Sequence, residues 1–286
     1  MADIVLDGVT HSFAQPGGGQ LLVLDALSLQ VADRQVVAIV GPNGSGKSTL
    51  LRIVAGLLAP DAGHAAIGGL AVADADPRVG LVFQEPRLLP WRTTLDNVSF
   101  PLELAGVGAA ARRRRATELL GLVGIAGFAS AYPQQLSGGM RQRAAIARAL
   151  AREPSVLLLD EPFSALDSLT RERFNAELLD LWQRTGTTIL LVTHSISEAV
   201  FVADRVIVLS PRPGHVIADV PVPLPRPRST DALDGAAYSS TAATIRAYLH
   251  GTPADHAAEE ALAAPVHDVL DRVGTPAWFD PFRRGG

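Results

Sequence analysis

Three short stretches of the chain, Val36 to Val40, Val156 to Leu159 and Thr188 to Val192, consist almost wholly of Val, Ile, Leu and Ala. Unbroken apolar runs of this length predict strands buried on both faces, the pattern of a parallel sheet. Such a sheet needs helices to cover it. One is predicted after Ser168, where Leu169, Phe174, Leu178, Leu181 and Trp182 recur at roughly helical spacing and Gly186 ends the pattern as a C-cap does. The economical reading is a set of βαβ units, hence an α/β fold. Between Glu85 and Ser137 the chain is rich in Ala, Arg and Leu with interspersed turn residues, which suits a mainly helical insertion, placed at about residues 86–145. After Leu209 the character changes, through PRPG and then PVPLPRPRST. Closely spaced prolines oppose helix and favour extended chain, so the main domain is expected to span residues 1–220, followed by a proline-rich linker over 221–230. Helices at Ser240 to His250 and Asp255 to Ala263, with a last segment Val266 to Val273 after Pro265, are expected in a C-terminal extension, residues 231–286. No internal repeat is visible.

Composition narrows the classes. The 286 residues are 48% hydrophobic and 19% charged, values of a folded chain rather than a disordered or fibrous one. The formal net charge of −4 provides no global basic field, so nucleic acid is not an expected partner. Cysteine is absent, which removes disulfides, thiol catalysis and thiolate metal sites together. Asp3 and Asp7 fall where a secretory peptide needs a basic start and an apolar run, so a cytoplasmic location is expected. The longest uncharged stretch, Leu119 to Met140, is interrupted by Gly121, Gly124, Gly127, Pro133, Gln134 and Gln135 and makes a poor bilayer span. Any membrane role therefore needs a partner that crosses the bilayer.

Chemistry first shows in VVAIVGPNGSGKSTLLRIVAG, where Gly41 to Ser48 follow the pattern Gly-x-x-x-x-Gly-Lys-Ser between an apolar strand and a helical run. In that context the glycines let backbone N–H groups wrap phosphate oxygens, Lys47 reaches the β and γ phosphates, and the Ser48 hydroxyl is a ligand for Mg²⁺. Lys47 is the only lysine in the chain, against 24 arginines. A phosphate cradle takes a compact ammonium on a flexible stem where a wide guanidinium fork does not fit, which explains why this position alone keeps lysine. Further on, VLLLDEP sets Asp160 and Glu161 at the exit of a buried strand, where parallel sheets line their ligand crevices. Asp160 suits Mg²⁺, and Glu161 suits orienting or deprotonating an attacking water. An acidic pair after a strand is also a common turn; the neighbouring phosphate loop gives the catalytic reading its weight.

Taken together, Gly41 to Thr49, Gln84 in VFQE, the LSGGMRQR run from Leu136 to Arg143, VLLLDEP, SALD (Ser164 to Asp167) and His194 in VTHS resemble the ordered motif set of ABC transporter ATPase subunits. The resemblance covers about residues 3–250. It implies a P-loop NTPase with a RecA-like core, an antiparallel β subdomain and an α-helical subdomain, binding ATP and Mg²⁺. Gly41, Pro42, Asn43, Gly44, Ser45, Gly46, Lys47, Ser48 and Thr49 would hold the phosphates of ATP, with Ser48, Gln84 and Asp160 toward Mg²⁺. Glu161, His194 and Gln84 would carry catalysis, Gln84 also coupling the site to the helical insertion. Ser137, Gly138 and Gly139 would meet ATP bound to the opposite subunit of a head-to-tail homodimer, Asp167 would also bind the nucleotide, and Phe13 in THSF would stack on adenine. Ser195 stands where many relatives carry Asp.

VFQEPRLLPWRTTLDNVSF, YPQQLSGGMRQRAAIARAL and SISEAVFVADRVIVLSPRPG look most like the ATPases of nitrate, sulfonate, taurine and related small-anion importers. The resemblance then implies two integral membrane permease subunits, an extracytoplasmic solute-binding protein engaged indirectly, and a peripheral position at the cytoplasmic face of the membrane. The solute would never touch this chain. A competing reading, a soluble ABC-type mechanical ATPase acting on nucleic acid or ribosomes, is opposed by the single motif set and the lack of sustained heptads. A non-hydrolysing ATP-binding regulator is opposed by Glu161 and His194. The run Arg112 to Arg115 lacks interleaved aromatics and reads as a solvated helix face, and the seven scattered histidines show no metal-ligand spacing.

Overall fold

The structure, a computed structural model, describes residues 2–16, 18–164 and 168–250. The chain opens with a long antiparallel ribbon, β1 (Ile4–Ala14) and β2 (Gln20–Val31). β3 (Val36–Val40) runs directly into the phosphate loop and α1 (Lys47–Val54). β4 (Ala62–Ile67) and β5 (Leu70–Ala71) return to the ribbon, completing a four-stranded antiparallel sheet in the order β2-β1-β4-β5. β6 (Val79–Val82) is followed by the helical insertion, α2 (Thr94–Leu104), α3 (Ala109–Leu122) and α4 (Gly138–Ala149). Then come β7 (Val156–Asp160), α5 (Ser168–Thr185), β8 (Thr188–Val192), α6 (Ile196–Val202), β9 (Arg205–Leu209), β10 (Val216–Pro221) and α7 (Ala236–Leu249).

The second sheet has six strands in the order β10-β9-β3-β8-β7-β6, parallel throughout except for β10 at its edge. The apolar runs read as strands are its central members, and their side chains divide by alternation. Val36, Ala38 and Val40 enter one core with Leu157, Leu159, Ile189, Leu191, Val206 and Val208. Val37 and Ile39 enter the other with Val156, Leu158, Leu190, Val192, Ile207 and Leu209. The first core is covered by residues of α3 to α7, the second by α1 and the antiparallel sheet. Period-two alternation with both faces apolar is what a doubly covered sheet requires. Gly186 ends α5 in the left-handed region, φ +63°, as the sequence pattern predicts.

The proline-rich stretch differs from the spacer expected there. Val220, Val222 and Leu224 are buried in the first core with Ala242 and Ile245 of α7. Arg226 stacks over Trp182 and pairs with Asp204, and the buried Arg228 donates to the carbonyls of Val200, Phe201 and Ala203 at the end of α6. Prolines here set an extended path that the alternating apolar side chains pin to the surface of the sheet, so the chain stays within one compact unit through His250. The helix expected at Asp255 to Ala263 and the last segment Val266 to Val273 lie outside the described residues. No helix among the described residues is long and apolar enough to cross a membrane.

Candidate active site

Four strands of the parallel sheet deliver the candidate residues to one edge. The chain leaves β3 through a loop whose Gly44 and Gly46 have φ of +79° and +90°, a region that favours glycine. At Gly46 there is also no room, since a Cβ would lie 2.6 Å from the Leu24 side chain. Lys47, buried at the first position of α1, turns back over the loop and donates to the carbonyls of Gly41 and Pro42, both at 2.8 Å. Burial pushes its pKa down, and the carboxylates of Glu161 and Asp160 push it back up. The Ser45 hydroxyl is buried in the same loop with no partner, and Thr49 is buried one turn on. Ser48 Oγ donates to Asp160 Oδ1 at 3.0 Å. Burial raises the Asp160 pKa, an effect the Ser48 bond opposes.

Beyond Asp160 the backbone bends sharply. Glu161 has φ +43°, unusual for a side-chain-bearing residue, and its N–H donates to the carbonyl of Val192 at the end of β8. The bend turns its carboxylate toward two further strand ends. Glu161 Oε2 lies 3.2 Å from Gln84 Nε2, two residues past β6, and 3.1 Å from His194 Nδ1, two residues past β8. The Glu161 side chain is 17% exposed and His194 52%, so the pair sits at an open rim where a bound molecule can reach it.

Other predicted residues stand apart from this cluster. Ser137 caps α4, its Oγ accepting from the Met140 N–H at 3.2 Å. With Gly138 and Gly139 it lines a cleft of about 700 Å³ shared with Phe163, Phe174 and Arg143, and no residue of Gly41 to Thr49 belongs to that cleft. Within one copy, then, that cleft does not take in the phosphate loop. Phe13, half-buried on β1, meets the edge of His11 with ring centroids 4.8 Å apart. Asp167 lies outside the described residues.

Three residues that sequence reasoning missed touch the cluster from outside. Arg148 of α4 donates to the carbonyls of Pro86 and Arg87, both at 2.8 Å, tying the helical insertion to the segment that follows Gln84. Gly214, in the turn after β9, lets that turn press on the phosphate loop, because a Cβ there would lie 2.0 Å from the Ser45 carbonyl oxygen. Glu198 of α6 is buried behind His194. Of these only Glu198 carried a signal, the spacing Ser195-x-x-Glu198 of a helix capping box.

The ABC transporter family model matches residues 24–164. The chain is 44% identical over 253 residues, 86% of its length and 96% of the relative's, to a taurine import ATP-binding protein of Rhizobium johnstonii. The chain belongs to the ABC transporter ATPase family. A taurine import ATP-binding protein of Pseudomonas putida is 48% identical over 71% of this chain and 78% of its own length. Among solved structures, a dimeric ATP-binding cassette in a post-hydrolysis state with ADP and Pi superposes with a TM-score of 0.68 at 35% identity, covering 77% of this chain and 98% of that one. This ABC ATPase is accordingly a P-loop enzyme that binds and hydrolyses ATP, built on an α/β core with an antiparallel sheet and a helical insertion.

Proposed function

We propose that this ABC ATPase powers uptake of a small anion, such as a sulfonate, taurine or nitrate, through two separate permease subunits at the cytoplasmic face of the membrane, with an extracytoplasmic binding protein delivering the solute. The identity to taurine import ATP-binding proteins over most of both chains supports the importer reading. The observation that carries the catalytic reading is the Glu161 carboxylate held between Gln84 and His194, near enough to Lys47 to stabilise its charge.

In this reading the loop Gly41 to Thr49 wraps the phosphates and Lys47 exchanges its two carbonyl partners for β and γ oxygens. Glu161 accepts a proton from water as that oxygen attacks the γ phosphorus, the bond to the β-phosphate oxygen breaks, and ADP and phosphate leave. His194 steadies Glu161 and the γ-phosphate, and Gln84 relays the state of the site to the helical insertion. The oxygen donors fit Mg²⁺: Ser48 Oγ and Asp160 Oδ1 already converge at 3.0 Å, and Gln84 adds an amide. When bound, Mg²⁺ neutralises charge on the transferring phosphoryl group.

The separation of the Ser137 to Gly139 cradle from the phosphate loop supports a homodimer in which each cradle closes on ATP held by the other copy. Glu161→Gln, which keeps the shape and removes the base, is expected to form an ATP-dependent dimer with MgATP. Light scattering that finds only monomer would contradict the trans arrangement.

A further inference from the structure

We infer that Glu198 is a positioning residue for His194, acting through Thr193. The inference rests on the catalytic reading of His194 given above. Ser195-x-x-Glu198 has the spacing of a capping box, in which the glutamate side chain folds back to the N–H of the capping residue. Half of that box is present: Ser195 Oγ caps α6 by accepting from the Glu198 N–H at 3.3 Å. The other half is rerouted. The Ser195 N–H donates instead to Thr193 Oγ1 at 3.0 Å, and Thr193 Oγ1 in turn hydrogen-bonds Glu198 Oε2. Glu198, Thr193 and Ser195 thus form a closed loop of bonds, and His194 sits between its two adjoining members, Thr193 and Ser195.

This arrangement is costly unless it serves something. Glu198 is 3% exposed, and its Oε1 has no hydrogen-bond partner. A solvent-facing capping box would satisfy the same helix end without burying a carboxyl. Turning inward lets Glu198 fix the exit of β8 from behind, since the Thr193 N–H is already anchored to the Ile39 carbonyl of β3. With its backbone held on both sides, His194 presents Nδ1 to Glu161 at 3.1 Å although half of its side chain faces solvent. The charged groups that reach Glu198 electrostatically are Arg171 of α5, His194 itself and Glu161. Burial outweighs them and favours the neutral acid, and Glu198 Oε2 accepts from the Thr193 hydroxyl.

The experiment is steady-state ATPase kinetics on the full chain for Glu198→Ala, Glu198→Gln, Thr193→Val and His194→Ala, with histidine-labelled NMR of the nucleotide-free protein. Losing the clamp is expected to lower kcat by roughly tenfold or more while KM for ATP moves less than about twofold, since the phosphate loop is untouched. Glu198→Gln, which keeps a hydrogen-bonding group in place, is expected to recover most of the loss. The His194 resonances are expected to shift in Glu198→Ala and Thr193→Val while those of the other histidines stay put. Thr193→Val makes the same lesion with little change of volume, so the test survives if Glu198→Ala does not fold. A proportional rise in KM, equal damage from Ala and Gln, or unmoved His194 resonances would overturn the clamp. His194→Ala separates the two readings: if it leaves kcat intact, the role of His194 falls and the clamp with it; if it lowers kcat while Glu198→Ala and Thr193→Val do not, only the clamp falls.

Discussion

Ser48 Oγ donates to Asp160 Oδ1 across 3.0 Å, joining the first turn of α1 to the end of β7 over 112 positions of sequence. Both atoms are hard oxygen donors, and burial raises the Asp160 pKa. Asp160→Asn is therefore expected to raise the Mg²⁺ concentration for half-maximal ATPase by roughly tenfold or more, as loss of a metal-holding carboxylate does. Titrating Mg²⁺ at fixed ATP tests this; an unchanged midpoint would remove Asp160 from the metal site.

Lys47 occupies a space closed by the carbonyls of Gly41 and Pro42, each 2.8 Å from its ammonium. A planar guanidinium cannot fold back into that curl, so Lys47→Arg is expected to fail almost as fully as Lys47→Ala, despite the conserved charge. Equilibrium binding of a fluorescent ATP analogue distinguishes the two possibilities. Retained affinity in the arginine variant would show that charge alone suffices.

Gly214 offers a test of the phosphate loop from outside it. A methyl there would collide with the Ser45 carbonyl oxygen at 2.0 Å, and Gly214 is itself anchored on both sides, its N–H donating to the Val23 carbonyl and its carbonyl accepting from the Asp25 N–H. Gly214→Ala is expected to weaken ATP binding by about tenfold through displacement of the loop, on the scale of a small core overpacking. Calorimetric affinity equal to that of the unmodified protein would show that the turn yields instead.

Glu198 sets a pH dependence of stability with a definite sign. Burial raises its pKa from 4.5 to about 7, with the Thr193 bond, Arg171 and His194 opposing and Glu161 assisting. In the folded state the group holds its proton to higher pH than in the unfolded state, so stability falls as pH rises between 4.5 and about 7. Glu198→Gln removes this group's contribution. Its melting temperature, compared with that of the unmodified chain, is expected to gain on moving from pH 5 to pH 8; parallel curves would refute the buried neutral acid.

Much of this was readable along the chain, for definite physical reasons. Val36 to Val40, Val156 to Leu159 and Thr188 to Val192 stand out because a strand covered on both faces leaves little place for polar residues, and the phosphate loop follows directly from the first of them. Asp160 and Glu161 were placed at a strand exit by the same logic. The proline-rich stretch was opaque: Val222 and Leu224 alternate with prolines, and nothing local says that α7 will bury them or that Arg228 will be drawn under α6. Gly214 reads in sequence only as a turn, since its role depends on Ser45, which lies 169 positions away. Glu198 carried a capping signal, but its inward turn depends on a threonine outside the usual box.

The transport reading meets its most direct test in the membrane. Tagged Glu161→Gln protein, purified with MgATP from detergent-solubilised membranes of its own cells, is expected to bring with it an integral membrane subunit in stoichiometric amount. Ribosomal or DNA-associated proteins in its place, with nothing recovered from the membrane fraction, would contradict transport and leave only the ATPase chemistry standing.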